Sequence, residues 1–340
     1  MTLLPLLTVA GKVATETYSE FAPFQLDRST AALERRYTND VSEFINVNDA
    51  RIHYRDEGPR DAPTVVALHG SYSSLHTWDN WVEQLCDDVR IVRLDMPGHG
   101  LTGPRKQGRH TLQALIDTVG AFCDELGLSE VVLAGNSLGG GVAWRLATHR
   151  PELVSKLLLL NAGGATLLST MERNLTSVGT SLVPRYATPR LLVRLLLLDA
   201  YHDSTMVTGD LVRRYHDLLL HPGNRRAVVE LAENYMQDHF DEERYDLINA
   251  GLPSLPSAAH DPSPVVWDSY DIATVSAPTL FQWGAADTWL PLTFGRELAE
   301  NVPDRTFITY ENVGHVPMEE APELTAADAV TFIHSGQSHR

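Results

Sequence analysis

The pattern of apolar and polar positions changes character twice along the chain. From residue 44 to residue 160, short apolar runs alternate with segments of helical length. Phe44-Ile45-Asn46-Val47 and Arg51-Ile52-His53-Tyr54-Arg55 alternate in polarity and are joined through Asn48-Asp49, the signature of a hairpin. Thr64–Leu68, Arg90–Asp95, Val131–Gly135 and Lys156–Leu160 are more continuously apolar, as expected of strands covered on both faces. Helices are expected near Ser29–Tyr37, Thr77–Cys86 and Thr111–Leu126, and from Ser137 to about Arg150. Strands alternating with helices predict a parallel sheet opened by an antiparallel hairpin.

Beyond Asn161-Ala162-Gly163-Gly164 the alternation stops. Residues 165–272 carry helix signals and no convincing strand: leucine-rich segments open at Thr188-Pro189, Asp210 and Asn224, and a Pro/Ser-rich stretch from Gly251 to Pro264 leads back. This reads as a helical insertion rather than an independent domain. The strand–helix pattern resumes with Pro278–Trp283 and Arg305–Tyr310, and a last helix is expected over Pro322–Phe332. The expected organisation is an N-terminal arm (1–40), a core of α/β class (41–164 and 273–340) and the insertion (165–272).

One junction carries chemistry. Val131-Val132-Leu133-Ala134 runs into Gly135-Asn136-Ser137-Leu138-Gly139, so a buried strand turns abruptly into a helix with Ser137 at the corner. Such a corner forces strained backbone angles, and only residues as small as Gly135 and Gly139 allow strand and helix to approach. The Ser137 hydroxyl is thereby exposed, and the Leu138 amide lies in the first helical turn, where an N–H without an intrahelical partner can stabilise an oxyanion. Taken alone, Gly-x-Ser-x-Gly also makes ordinary loops. A serine hydroxyl needs a base and a group to orient that base. Asp287 and His315 each follow a later strand, giving the order Ser…Asp…His. Singly, one reads equally well as a loop cap and the other as a surface histidine. After the strand at 64–68, His69-Gly70-Ser71 permits close backbone approach, and the Ser71 amide is the candidate second oxyanion donor. His69 reads as ordering that loop. Asp95 and His99, flanking a Pro-Gly turn, are read as structural.

Composition narrows the partners. The 340 residues are 43% hydrophobic and 21% charged, ordinary for a globular chain with a sizeable core. A net charge of −17 argues against nucleic acid and anionic membranes. Of the 27 basic residues only three are Lys, a skew compatible with a GC-rich genome or with salt adaptation. Cys86 and Cys123 have no metal-ligand spacing and read as buried free thiols of a reducing, cytoplasmic compartment. The apolar stretch Met1–Ala10 is too short to span a bilayer and lacks the basic start of a secretory signal. It is expected to pack as an arm, with peripheral membrane contact as the lesser alternative.

Together, His69-Gly70, Gly135-Asn136-Ser137-Leu138-Gly139-Gly140, Gly284-Ala285-Ala286-Asp287 and Gly314-His315 resemble the motifs of the α/β-hydrolases of the capped, serine-nucleophile type, over about residues 42–334. Ser73-Ser74-Leu75-His76-Thr77-Trp78 and Gly98-His99-Gly100-Leu101-Thr102-Gly103-Pro104 are similar to an esterase-like bacterial and archaeal subgroup. The resemblance implies a mostly parallel eight-stranded sheet with an inserted helical cap. It also implies a catalytic triad of Ser137, Asp287 and His315, an oxyanion hole from the Ser71 and Leu138 amides, no metal or cofactor, and a small-molecule ester substrate handled by a monomer or homodimer. Some relatives place the acid after the strand preceding the cap, where this chain has Asn161-Ala162-Gly163-Gly164 without a carboxylate. Haloalkane dehalogenases and epoxide hydrolases use an aspartate nucleophile, which this elbow lacks. Proline iminopeptidases typically show Gly-Gly-Ser-Trp-Gly, absent here. Carbon–carbon hydrolases share the Gly-Asn-Ser elbow but typically carry tryptophan after the catalytic histidine, where this chain has Val316. Carbon–carbon bond hydrolysis is the second expectation, and a hydrolase-like ligand sensor the third.

Overall fold

The computed structural model describes residues 25–163, 188–239 and 272–335. The expected connection Gly251–Pro264, the start of the insertion and residues 1–24 of the arm lie outside them. Eight strands form one sheet: β1 (Ser42–Val47), β2 (Ala50–Glu57), β3 (Thr64–Leu68), β4 (Arg90–Leu94), β5 (Val131–Ser137), β6 (Val154–Ala162), β7 (Thr279–Gly284) and β8 (Arg305–Tyr310). Their spatial order is β1-β2-β4-β3-β5-β6-β7-β8. The β1–β2 and β2–β4 pairs are antiparallel and the others parallel. The hairpin closes through Asn48, which adopts the left-handed φ of 51° that asparagine tolerates.

Among the described residues the helices are α1 (Thr30–Tyr37), α2 (Asp79–Leu85), α3 (Leu112–Glu125), α4 (Leu138–His149), α5 (Arg190–Ala200), α6 (Gly209–Leu219), α7 (Asn224–His239), α8 (Leu292–Glu300), α9 (Pro317–Glu320) and α10 (Pro322–His334). Local capping sets several boundaries. Ser29, Thr111 and Thr208 accept backbone N–H bonds at the starts of α1, α3 and α6, each satisfying an orphan donor. The helix expected from Thr77 begins at Asp79 instead, and Leu75–Trp78 ahead of it forms a 3₁₀ turn. Its start is fixed by Asp95, which accepts the Leu75 amide at 2.7 Å. Both faces of the central strands are buried, β5 along its whole length. The two free cysteines differ: Cys123 is buried, as expected, whereas Cys86 is partly exposed because it caps the end of α2. No helix among the described residues is long and apolar enough to cross a membrane.

The described residues of the N-terminal segment, from 25 onward, contact two parts of the chain. Its α1 carries on to the core through the Tyr37 carbonyl, which accepts from Arg55 at 2.9 Å, and through an Arg51–Glu34 ion pair. On the other side it holds the helices between β6 and β7. Arg28 N–H donates to the Leu220 carbonyl at 2.8 Å, Tyr37 Oη donates to Asp217 at 2.9 Å, and Asp27 pairs with Arg225 at 2.5 Å.

Buried histidines give the fold an acid limit. Burial pulls His76 down to about 4 and His99 down to about 3. In the unfolded chain both take up a proton near pH 6.5. Because the unfolded state binds the extra protons, stability falls as pH drops below about 6.5, by up to about 2.7 kcal/mol per pH unit for the pair. Urea midpoints measured at pH 7, 6 and 5 are expected to decrease steadily; a flat profile across that range would contradict the neutral burial of these rings.

Candidate active site

The corner after β5 has the strain its sequence predicts. Ser137 holds φ 53° and ψ −118°, a conformation costly for a residue with a side chain. The neighbouring glycines are required by contact. A Cβ on Gly135 would lie 2.3 Å from the Gly139 carbonyl oxygen, one on Gly139 2.3 Å from the Leu68 carbonyl oxygen, and one on Gly140 2.4 Å from Ala162 Cβ. The strand–helix angle therefore exists only because these three side chains are absent, and it delivers Ser137 to the C-terminal edge of the sheet.

The ends of β7 and β8 meet at the same edge. His315 Nδ1–H donates to Asp287 Oδ2 at 2.8 Å, with both side chains buried. The other Asp287 oxygen accepts the amides of Trp289 at 2.8 Å and Leu290 at 3.0 Å. Ser137 Oγ, expected to be exposed at the corner, is buried, and neither it nor His315 Nε2 has a protein hydrogen-bond partner, so the two are not hydrogen-bonded to each other. Both residues line one cavity of about 880 Å³, its mouth included. Ser71 and Trp289 line it too, and the Trp289 ring sits 4.8 Å from that of His315. The loop carrying Ser71 passes close to the elbow: a Cβ on Gly70 would lie 3.2 Å from Ser137 Cβ. Leu138 is the first residue of α4.

His69 and Asp95 have the structural roles read from the sequence. His69 Nδ1–H donates to the Gly70 carbonyl at 2.7 Å and its Nε2 accepts the Met96 amide at 3.0 Å, so the ring orders the loop before Ser71. Asp95 accepts the Leu75 and Leu101 amides and the His53 ring N–H. Burial, the largest single influence, opposes its charge, but the His53 hydrogen bond and the neighbouring rings of His53, His69 and His76 together outweigh it and hold the carboxyl well below its usual range. Gly100, at φ 50°, has no room for a Cβ against that carboxylate.

Three supporting residues escaped the sequence reading. Asn161, at the end of β6, donates to Asp287 Oδ2 at 2.6 Å and accepts the Gly284 amide at 2.9 Å. It thus braces the acid loop from the turn whose lack of a carboxylate the sequence did display. Glu320 accepts the Gly314 amide and the His202 amide, each at 2.8 Å, tying the His315 loop to the segment after α5. Glu319 lies between the core and the helices above it, accepting from Tyr201 at 2.7 Å, Tyr215 at 3.0 Å, Arg214 at 3.0 Å, and Thr77. Burial and the Glu319 charge push the Tyr215 phenol up to about 12, so it remains a donor.

Replacing Asn161 with alanine removes a hydrogen bond to a carboxylate, worth about 1.5–3 kcal/mol. We expect a fall in kcat of roughly 10- to 100-fold with KM little changed, because the ring that Asp287 orients is then less well held. Steady-state kinetics checks this, and an unchanged kcat would show that Asp287 needs no second brace.

With the geometry in hand, comparison with known proteins is decisive on one point. Residues 65–329 match the family model described as "Alpha/beta hydrolase family". The chain belongs to that family. Among curated relatives it is 25% identical over 310 residues to a 2-hydroxy-6-oxo-6-phenylhexa-2,4-dienoate hydrolase of Burkholderia cepacia, covering 87% of this chain and 97% of that one. Among solved structures, the meta-cleavage product hydrolase of Pseudomonas fluorescens IP01 superposes with a TM-score of 0.67 at 22% identity, covering 87% and 99% of the two chains. A thermophilic esterase from Thermogutta terrifontis superposes with a TM-score of 0.63 at 20% identity, covering 86% and 99%. At these identities the two structures establish the shared hydrolase fold. In this α/β-hydrolase the eight-stranded, mostly parallel sheet is the one expected from the sequence.

Proposed function

We propose that the chain is a serine hydrolase that cleaves carboxylic esters of small to medium, largely apolar substrates through an acyl-enzyme. The observation that supports this best is that Ser137 and His315, whose Oγ and Nε2 have no other protein hydrogen-bond partner, line one cavity, with Asp287 hydrogen-bonded to the imidazole. His315 Nε2 takes the hydroxyl proton as Ser137 Oγ attacks the ester carbonyl, and the Ser71 and Leu138 amides hold the oxyanion. The C–O bond to the alcohol breaks as His315 returns the proton to the leaving oxygen. Water, deprotonated by the same ring, then releases the acid and restores Ser137.

The cavity wall supports the proposed substrate class. Leu192, Val193, Leu196 and Leu197 of α5, with Leu219 and Val229, make it mostly apolar, so the helices between β6 and β7 act as a cap over Ser137. The charged side chain in the described lining, Arg225, is paired with Asp27. The dienoate hydrolase relative supports a second reading, carbon–carbon bond hydrolysis on the same machinery. A p-nitrophenyl ester series from acetate to long-chain acyl, at low and high salt, is expected to give multiple turnovers with a short- to medium-chain optimum. Turnover of a 2-hydroxy-6-oxo-dienoate with no ester turnover at either salt level would select the second reading instead.

A further inference from the structure

We propose that the chain carries a second ligand site, for a small, multiply charged anion of pyrophosphate or tricarboxylate size, where the N-terminal segment meets α5 and α6. A polar cleft of about 470 Å³, its mouth included, opens there. Its described lining includes four arginines: Arg28 and Arg36 from the N-terminal side, and Arg190 and Arg213 from α5 and α6. One carboxylate in that lining opposes them, Asp217, which is almost fully buried. His216, also in the wall, adds no charge near neutral pH, because burial lowers its pKa. The described wall therefore holds three positive charges in excess, in a chain whose net charge is −17.

Among the described residues, existing partners leave much of this donor capacity unused. Arg28 lies 3.0 Å and Arg36 3.8 Å from the same Asp217, so two guanidinium groups share one carboxylate, which also accepts from Tyr37. Arg213 pairs with Asp210, one turn back on α6 and itself exposed. Arg190 donates one N–H to the Gly209 carbonyl at 2.9 Å, while its Nε–H is buried without an acceptor. Each guanidinium offers five N–H groups in a planar fork suited to phosphate or carboxylate oxygens. Arg190 is also the first residue of α5, where the helix dipole favours negative charge. Four like charges around one buried acid repel one another, weakly where water screens them, and an anion between them offsets that repulsion. Bidentate arginine contacts supply that interaction.

The site shares helix α5 with the cavity at Ser137. The same α5 that begins at Arg190 supplies Leu192, Val193 and Leu196 to the cavity wall. An anion bridging Arg28 and Arg36 to Arg190 and Arg213 fastens the N-terminal segment to the helices above Ser137. This assignment stands independently of the reaction at Ser137.

The test titrates the full chain with sodium pyrophosphate, and in parallel with citrate, by calorimetry and by thermal unfolding against sodium chloride of matched ionic strength. Saturable one-to-one binding and a Tm rise beyond the chloride control are expected, since a ligand that binds only the native state stabilises it. In Arg36→Gln/Arg213→Gln, which removes one half-exposed guanidinium from each side, the affinity is expected to fall on the order of 100-fold. Should the double variant not fold, Arg36→Gln alone serves, with a fall of about tenfold expected. A Tm rise equal to that of chloride, or unchanged affinity in the folded variant, would overturn the site. So would binding to phosphatidylglycerol vesicles without any response to free pyrophosphate or citrate, because the occupant would then be a membrane surface.

Discussion

Ser137→Ala is expected to lower ester turnover on the order of a million-fold in kcat, because nucleophile and base act as a unit and losing either removes the covalent route. The left-handed backbone at Ser137 and the three glycines packed around it serve to present a hydroxyl, and alanine leaves that backbone unchanged. The variant should therefore fold like the parent, with an unchanged urea midpoint, while a p-nitrophenyl ester assay reads only background hydrolysis. Turnover within tenfold of the parent would remove Ser137 from the chemistry.

Asp287→Asn is expected to cost about 10⁴-fold in kcat. Asp287 receives donors on both oxygens: the Trp289 and Leu290 amides on Oδ1, and His315 Nδ1–H with Asn161 Nδ2 on Oδ2. A carboxylate accepts all four. An amide must turn an NH₂ group toward one of these pairs, leaving buried donors face to face. If the NH₂ faces His315, the imidazole is forced into the other tautomer, with its proton on Nε2 where a lone pair is needed to accept the serine proton. Activity of the variant is expected to stay low at every pH at which the protein is folded. Recovery to within tenfold of the parent at high pH would show that Asp287 only positions the loop.

The parts of this site legible in the sequence are those fixed by chain-local constraints. The elbow could be read because strand, glycines, serine and helix are consecutive, and their spacing follows from one steric requirement. Asp287 and His315 could be read because each follows a strand and their order suits a parallel sheet. The structure places these two side chains in hydrogen-bonding contact. The braces were hidden for the complementary reason. Asn161 is 126 positions from the carboxylate it holds, and an asparagine after a strand carries no pattern to mark it. Glu319 and Glu320 belong to one short helix, yet the first reaches Tyr201 after α5 and Tyr215 of α6, and the second the His202 amide. Helix periodicity says nothing about such long-range polar contacts. The same holds for the N-terminal segment, whose hold on Asp217, Leu220 and Arg225 comes from single side chains and one amide, without repeat or stripe.

The central claim, that Ser137 carries the acyl group during ester hydrolysis, is tested most directly by trapping it. The protein is mixed with p-nitrophenyl butyrate, quenched in acid within the first turnovers, digested and analysed by mass spectrometry. A butyryl group on the peptide bearing Ser137, lost in Ser137→Ala and formed far more slowly in Asp287→Asn, is the predicted result. Ester turnover with no covalent adduct, or with the acyl group on another residue, would contradict it.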